Sequence, residues 1–196
     1  MNESSLERAL AHIAEELRRR SRPFALVGGL GVSIRAEVRF TRDVDLAIAV
    51  ASDDETERLT RDLTSAGYSV LAIVEHEERK RLATVRLRSP LGTVIDLLAA
   101  SSGIEGEIVA RAGPIAVDGA GTVPVARAEE LLAMKILSMT EQRPQDRIDA
   151  INLLHVNTAL DLGVVRELLA TIASRGFDRG QPLFAKLDSL LAIPRP

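Results

Sequence analysis

The chain has 196 residues, of which 46% are hydrophobic and 27% charged, and a net charge of −3. That balance suits one soluble domain with a helical appendage. It excludes a disordered chain, a membrane span of about 18 apolar residues and a general nucleic-acid coat. With no cysteine and three scattered histidines, disulfide scaffolds, thiol nucleophiles and Cys/His zinc sites fall away together.

The first stretch, MNESSLERALAHIAEELRRR, mixes acids with bases and has no apolar core, so it does not read as a signal peptide. A cytoplasmic location without membrane attachment is expected. Leu6, Leu10, Ile13 and Leu17 fall on one helical face, with Ser4 or Ser5 as the expected N-cap. Arg22-Pro23 ends that helix, and Phe24 to Val27 reads as a short buried strand. Gly28-Gly29 breaks it, and Leu30 to Glu37 can turn helically. Asp43 to Val50 begins polar and becomes apolar, as a central strand does. Asp53 to Ala66 is a charged helix stopped by Gly67. Tyr68 to Glu75 is a strand. Leu82 to Arg88 alternates, setting Leu82, Thr84, Arg86 and Arg88 opposite Ala83, Val85 and Leu87. The turn Ser89-Pro-Leu-Gly92 joins it to Thr93–Ala99, which predicts a hairpin. Val123-Pro-Val125 leads into a helix from Ala128 to Thr140. Arg143-Pro144 separates that helix from the next, which runs to about His155. Helices over Leu160–Ala173 and Leu183–Leu190 complete the chain. The order predicts an α+β core over residues 1–125 and a helical region over 126–196.

Asp43-Val44-Asp45 is the most informative triplet. Residues i and i+2 of a strand share a face, about 7 Å apart. Two carboxylates so placed either sit hydrated at a strand end or share a hard cation such as Mg²⁺. Asp96 lies mid-strand between Val94 and Leu98. An ionised acid there needs a hydrogen-bonded partner or a ligand. If strand 93–99 lies beside strand 43–50, Asp96 completes a three-carboxylate site of the kind that holds two Mg²⁺ ions for phosphoryl displacement. Gly28-Gly29, between a strand and a helix, is either a plain tight turn or a phosphate cradle, to which Ser33 can add a hydroxyl. No Walker lysine follows.

Among 25 basic residues only three are Lys, so Lys135 in the apolar run ELLAMKILSM stands out. It is either a snorkelling surface lysine or a point charge that neutralises a triphosphate. Asp146 and Asp149 share a face of the following helix, and either can orient it. Arg39, Arg42, Arg86, Arg88, Arg143 and Arg147 are candidates for an anion-binding groove.

The run LVGGLGVSIRAEVRFTRDVDLAI resembles the nucleotidyltransferase signature of the DNA polymerase β superfamily. The GG turn followed by R-x-T-x-D-x-D-L is similar to the AbiEii/AbiGii toxin branch, which includes the mycobacterial MenT toxins. VPVARAEELLAMKILSM and RPQDRIDAINLL are similar to that branch's later motifs. The resemblance implies a polymerase-β-like mixed sheet with flanking helices and a helical C-terminal region. It implies Asp43, Asp45 and Asp96 as metal-binding acids for two Mg²⁺ ions, with an NTP as substrate. It places Gly28 and Gly29 at the phosphate turn, Arg39 and Thr41 at the nucleotide motif, and Lys135, Asp146 and Asp149 in the toxin branch's catalytic motif. The superfamily more often has Gly-Ser where this chain has Gly-Gly. The activity implied is transfer of NMP to the 3′ end of tRNA, countered by a cognate antitoxin. A small-molecule, antibiotic-type nucleotidyltransferase and a catalytically silent binding module are the alternatives.

Overall fold

The protein is described by a computed structural model covering residues 3–194. Helix α1 spans Glu3–Arg19 and buries Leu10, Ile13, Ala14 and Leu17 completely. It begins before the serines expected to cap it, so Ser4 and Ser5 lie within its first turn. The remaining elements are β1 (Phe24–Leu26), α2 (Gly28–Arg35), β2 (Asp43–Ile48), α3 (Asp53–Ser65), β3 (Ser69–His76), β4 (Arg81–Arg88) and β5 (Val94–Leu98). They continue through α4 (Glu105–Arg111), β6 (Gly113–Val117), β7 (Gly121–Val125), α5 (Ala128–Ser138), α6 (Pro144–Val156), α7 (Leu162–Ser174) and α8 (Leu183–Leu191).

Among the described residues, seven strands form one mixed sheet in the order β3-β4-β5-β2-β1-β7-β6. The β4–β5 hairpin is antiparallel, as its turn predicts, and β2 runs parallel to β5. Alternation decides what each face meets. Val44, Leu46 and Ile48 of β2 join Ile95 and Leu97 of β5 against α1 and α3. Ala47, with Ala25 and Val27, faces the core built by α4–α8. Asp43 and Asp45 share the parity of Ala47. The strand pattern therefore delivers both acids to the side covered by the C-terminal helices.

Elements α4 and β6 escape the sequence reading, and β7 is represented there only by Val123-Pro-Val125 as a lead into the next helix. Helix α4 has only seven residues, too few to display a helical period. Strand β6 carries Pro114, which a sheet tolerates because β6 is an edge strand. Among the described residues no helix is long and apolar enough to cross a membrane.

Candidate active site

The site grows from strand register. Asp45 of β2 lies directly beside Asp96 of β5, and Asp96 directly beside Arg86 of β4. One cross-strand row thus reads arginine, acid, acid. Asp43, two residues before Asp45, stands on the same face. The expected neighbourhood of Asp43, Asp45 and Asp96 is present.

Arg86 alters what those acids can do. Its Nε donates to Asp96 Oδ1 at 2.8 Å and its Nη2 to Oδ2 at 2.7 Å. Nη2 also lies 3.7 Å from Asp43. Asp96, through its hydrogen bonds and charge, pushes the guanidinium up and keeps it a fixed cation. Both Asp96 oxygens are therefore engaged. Among the described residues, no three acidic or imidazole side chains form a ready-made metal site. Asp43 and Asp45 fit a hard divalent ion as a pair, since Mg²⁺ takes one or two carboxylates and completes its shell with water and phosphate. With Arg86 in place, Asp96 offers a cation only its remaining lone pairs, next to a fixed positive charge.

Asp45 lacks such a partner. Burial first, and then the charge of Asp96, push its carboxyl up to about 6, against the pull of Lys135 and of the Gly29 N–H. An acid disfavoured in its ionised form is one that a bound cation would stabilise.

The turn after β1 packs against this carboxylate. Gly28 has φ +59°, and a Cβ there would overlap the Asp45 side chain. The Gly29 N–H donates to Asp45. A Cβ on Gly29 would meet Arg39 Nη2 at 2.7 Å and Thr41 Oγ1 at 2.8 Å. The glycines thus permit close approach on both sides. Gly28→Ala is expected to cost about 1–3 kcal/mol in backbone strain alone. Displacement of Asp45 adds to that, lowering both melting temperature and transfer activity. An unchanged melting curve would show that the turn relaxes freely.

Ser33 does not join the cleft. Its hydroxyl donates to Gly29 O at 3.0 Å and accepts from Arg39 N at 3.3 Å. It ties the segment after α2 rather than offering a phosphate contact. Arg39 reaches across to α6, where Nε and Nη2 meet the Asp149 carboxylate at 2.7 and 2.9 Å. Thr41 lines the cleft beside it.

Lys135 is 8% exposed, which excludes snorkelling. Its Nζ lies 2.6 Å from Asp146 and 2.9 Å from Asp149, so both acids hold it. Burial would raise the Asp149 carboxyl, but hydrogen bonds from Arg39, Gln145 and Lys135 outweigh it and hold the group below the usual range. Asp146 also pairs with Arg143 at 2.7 Å. These acids act here as positioning groups for three cations.

The glycine turn, Asp43, Asp45, Asp96, Lys135 and Asp146 border a cavity of about 540 Å³ whose wall includes Arg39, Arg86, Arg143 and Arg179, a size typical of ligand clefts; Asp149 lies behind it. Arg42, Arg88 and Arg147 do not line it. Arg179 was missed by sequence reading. It sits in the loop before α8 with φ +56°, and no periodicity or motif marks it. Burial first, then the nearby charge of Arg143, push its guanidinium down.

The fold is shared with solved structures. An antigenic nucleotidyltransferase-like protein from Paracoccidioides brasiliensis matches at TM-score 0.53 and 20% identity, covering 100% of this chain and 96% of its own. The antibiotic-resistance factor ANT(2'')-Ia matches at TM-score 0.52 and 17% identity, covering 93% and 95%. At these identities the likeness speaks for the fold. No curated protein sequence matches the chain. The family model for the nucleotidyl transferase AbiEii toxin of type IV toxin–antitoxin systems matches residues 8–193, nearly the whole length. On that match, the chain belongs to the AbiEii nucleotidyl transferase toxin family.

Proposed function

We propose that the protein transfers NMP from an NTP to the 3′ end of tRNA, thereby inhibiting translation, and is countered by a cognate antitoxin. The observation that carries the acceptor class is the arginine wall. Arg39, Arg86, Arg143 and Arg179 surround the cleft that holds the acids. Arg143 and Arg179 lie close enough for one charge to depress the other. Arg39, Arg86 and Arg143 are each paired with an acid, so the surplus positive charge of the wall is that of Arg179, which suits a phosphate-bearing acceptor. An amino-sugar antibiotic is a polycation and gains nothing from Arg179, which favours the tRNA reading over the antibiotic-type one. A silent module would have no need to keep Asp45 in so unfavourable a setting.

Asp43 and Asp45, joined by Asp96 once Arg86 releases it, would hold up to two Mg²⁺ ions, which supply charge neutralisation on the triphosphate. The chain's own groups do the rest. The α2 N-terminus and its glycine turn receive phosphate oxygens. Lys135, fixed by Asp146 and Asp149, presents a point charge to the departing pyrophosphate. Asp96, once freed from Arg86, would either help hold a second ion or itself accept the proton of the attacking 3′-hydroxyl. Catalysis on this reading is positioning and electrostatic stabilisation.

The test is incubation with Mg²⁺, total tRNA and each labelled NTP in turn. Label entering tRNA, and lost in Asp45→Asn, is the expected result. Bound NTP without labelled tRNA would overturn the acceptor assignment.

A further inference from the structure

The chain has four Phe, one Tyr and no Trp. Phe24, Phe177 and Tyr68 are buried and Phe184 is 41% exposed, whereas Phe40 is 69% exposed. It stands between Arg39 and Thr41, which line the acid cleft. Val38, two residues before it, is 86% exposed, so this segment presents an apolar patch beside the cleft and not a single stray ring. The backbone that carries the ring is also held in place. Arg39 is anchored by Asp149, its Nη1 donates to Phe40 O at 3.1 Å, and its backbone N–H donates to Ser33. The Arg42 guanidinium lies over the ring, 5.4 Å from its centroid, within cation–π range.

Behind the acid cleft, and sharing Arg39 and Thr41 with it, lies a second cavity of 420 Å³. Leu30, Ile34, Val38 and Phe40 supply its apolar surface, and Glu7 and Asp118 its carboxylates. Among the described residues, neither carboxylate has a cationic partner at bonding distance. An apolar slot with an aromatic face, an adjacent guanidinium and free hydrogen-bond acceptors is what a nucleobase requires. The face stacks, and the carboxylates accept from ring N–H or amino groups.

We infer that Phe40 is the stacking platform of a nucleobase site formed between the 37–42 segment and α2. The inference rests on the nucleotidyl-transfer reading for its two possible sources of a base, the incoming NTP and the terminal nucleotide of the acceptor. Arg42 backs the ring, and the slot beside α2 receives the base.

The test compares wild type, Phe40→Ala and Phe40→Trp. Calorimetric titration uses each NTP with Mg²⁺ in the absence of RNA, and inorganic tripolyphosphate as a ligand without a base. Stacking on one aromatic side chain predicts that Phe40→Ala binds an NTP about 5- to 150-fold more weakly, binds tripolyphosphate unchanged, and is rescued by Phe40→Trp. That result assigns the site to the incoming nucleotide. If NTP affinity is unchanged, a raised KM for tRNA that disappears when the terminal nucleotide is abasic assigns it to the acceptor. If neither parameter moves, the inference is overturned and the ring serves some other contact, such as a protein partner. Because Phe40 is exposed, the variants should keep the wild-type melting temperature. A wild type that binds NTP but labels no RNA would sink the acceptor assignment while leaving the NTP arm of this test intact.

Discussion

Asp45→Asn is expected to lose nucleotidyl transfer and, in the same protein, to gain thermal stability at neutral pH without added metal. The two effects have one cause. Asp45 lies beside Asp96 in the β2–β5 register, and burial followed by that neighbouring charge pushes its carboxyl up to about 6. The unfolded chain holds such a group near 3.9. A folded-state value above the unfolded one means that the folded protein binds the proton more tightly. The resulting stabilisation is complete below about pH 4 and is lost as pH rises through about 6. Above that, ionised Asp45 works against folding by an amount on the order of 1–3 kcal/mol. Asparagine keeps an oxygen to accept from the Gly29 N–H and carries no charge. For a chain of this size the gain corresponds to roughly 2–12 °C in melting temperature. Melting both proteins in chelator from pH 4 to pH 8 should show the curves diverge as pH rises. Transfer should fall by at least about 10²–10³, the scale for removing one electrostatic stabiliser. An asparagine variant less stable than wild type at pH 7.5 would show that the carboxylate is satisfied by contacts other than those described.

The strained pair at Asp45 and Asp96 was legible in outline. An acid flanked by Val94 and Leu98 on a strand face demands a partner, and Asp43-Val44-Asp45 at the start of another apolar strand offered a reason for one. What the sequence did not reveal is which partner Asp96 has in the chain alone. Arg86 faces it because the Ser89–Gly92 turn sets the hairpin register. The alternation of β4 put Arg86 on a face, and only the pairing named its neighbour. Lys135 was legible as an anomaly, a lysine in an apolar helix of an arginine-rich chain. Its capture by both Asp146 and Asp149 depends on the packing of α6 against α5, which no local pattern encodes. Ser33 was misplaced for a related reason. A serine four residues along a helix can satisfy its hydroxyl on the preceding turn, and here it bonds Gly29 O. Arg179 carried no signal, because a loop position is fixed by what it packs against and not by any period.

Lys135→Ala is expected to damage folding as well as catalysis, so the simple variant cannot by itself locate the lysine on the substrate. Its Nζ is shared by Asp146 at 2.6 Å and Asp149 at 2.9 Å, and Asp149 is wholly buried. Removing one partner of a buried ion pair costs about 3–5 kcal/mol, because a charge remains without its counter-ion. Arg39 on Asp149 and Arg143 on Asp146 persist and should hold the loss to the lower end of that range. Even so, that is a large share of the 5–15 kcal/mol by which a domain is stable. The informative protein is the double variant Lys135→Met with Asp146→Asn. It removes the cation together with one of its two acids and leaves Asp149 bound by Arg39 and Gln145. Replacing a buried ion pair by groups of similar volume is often neutral, so its denaturation midpoint should return most of the way to wild type. Transfer should stay absent, because no ammonium then faces the departing pyrophosphate. A refolded double variant that also regains transfer would reduce Lys135 to a structural ion. The charge on the pyrophosphate side would then fall to the arginines of the wall, with Arg143 first among them, since losing Asp146 frees it to turn into the cleft.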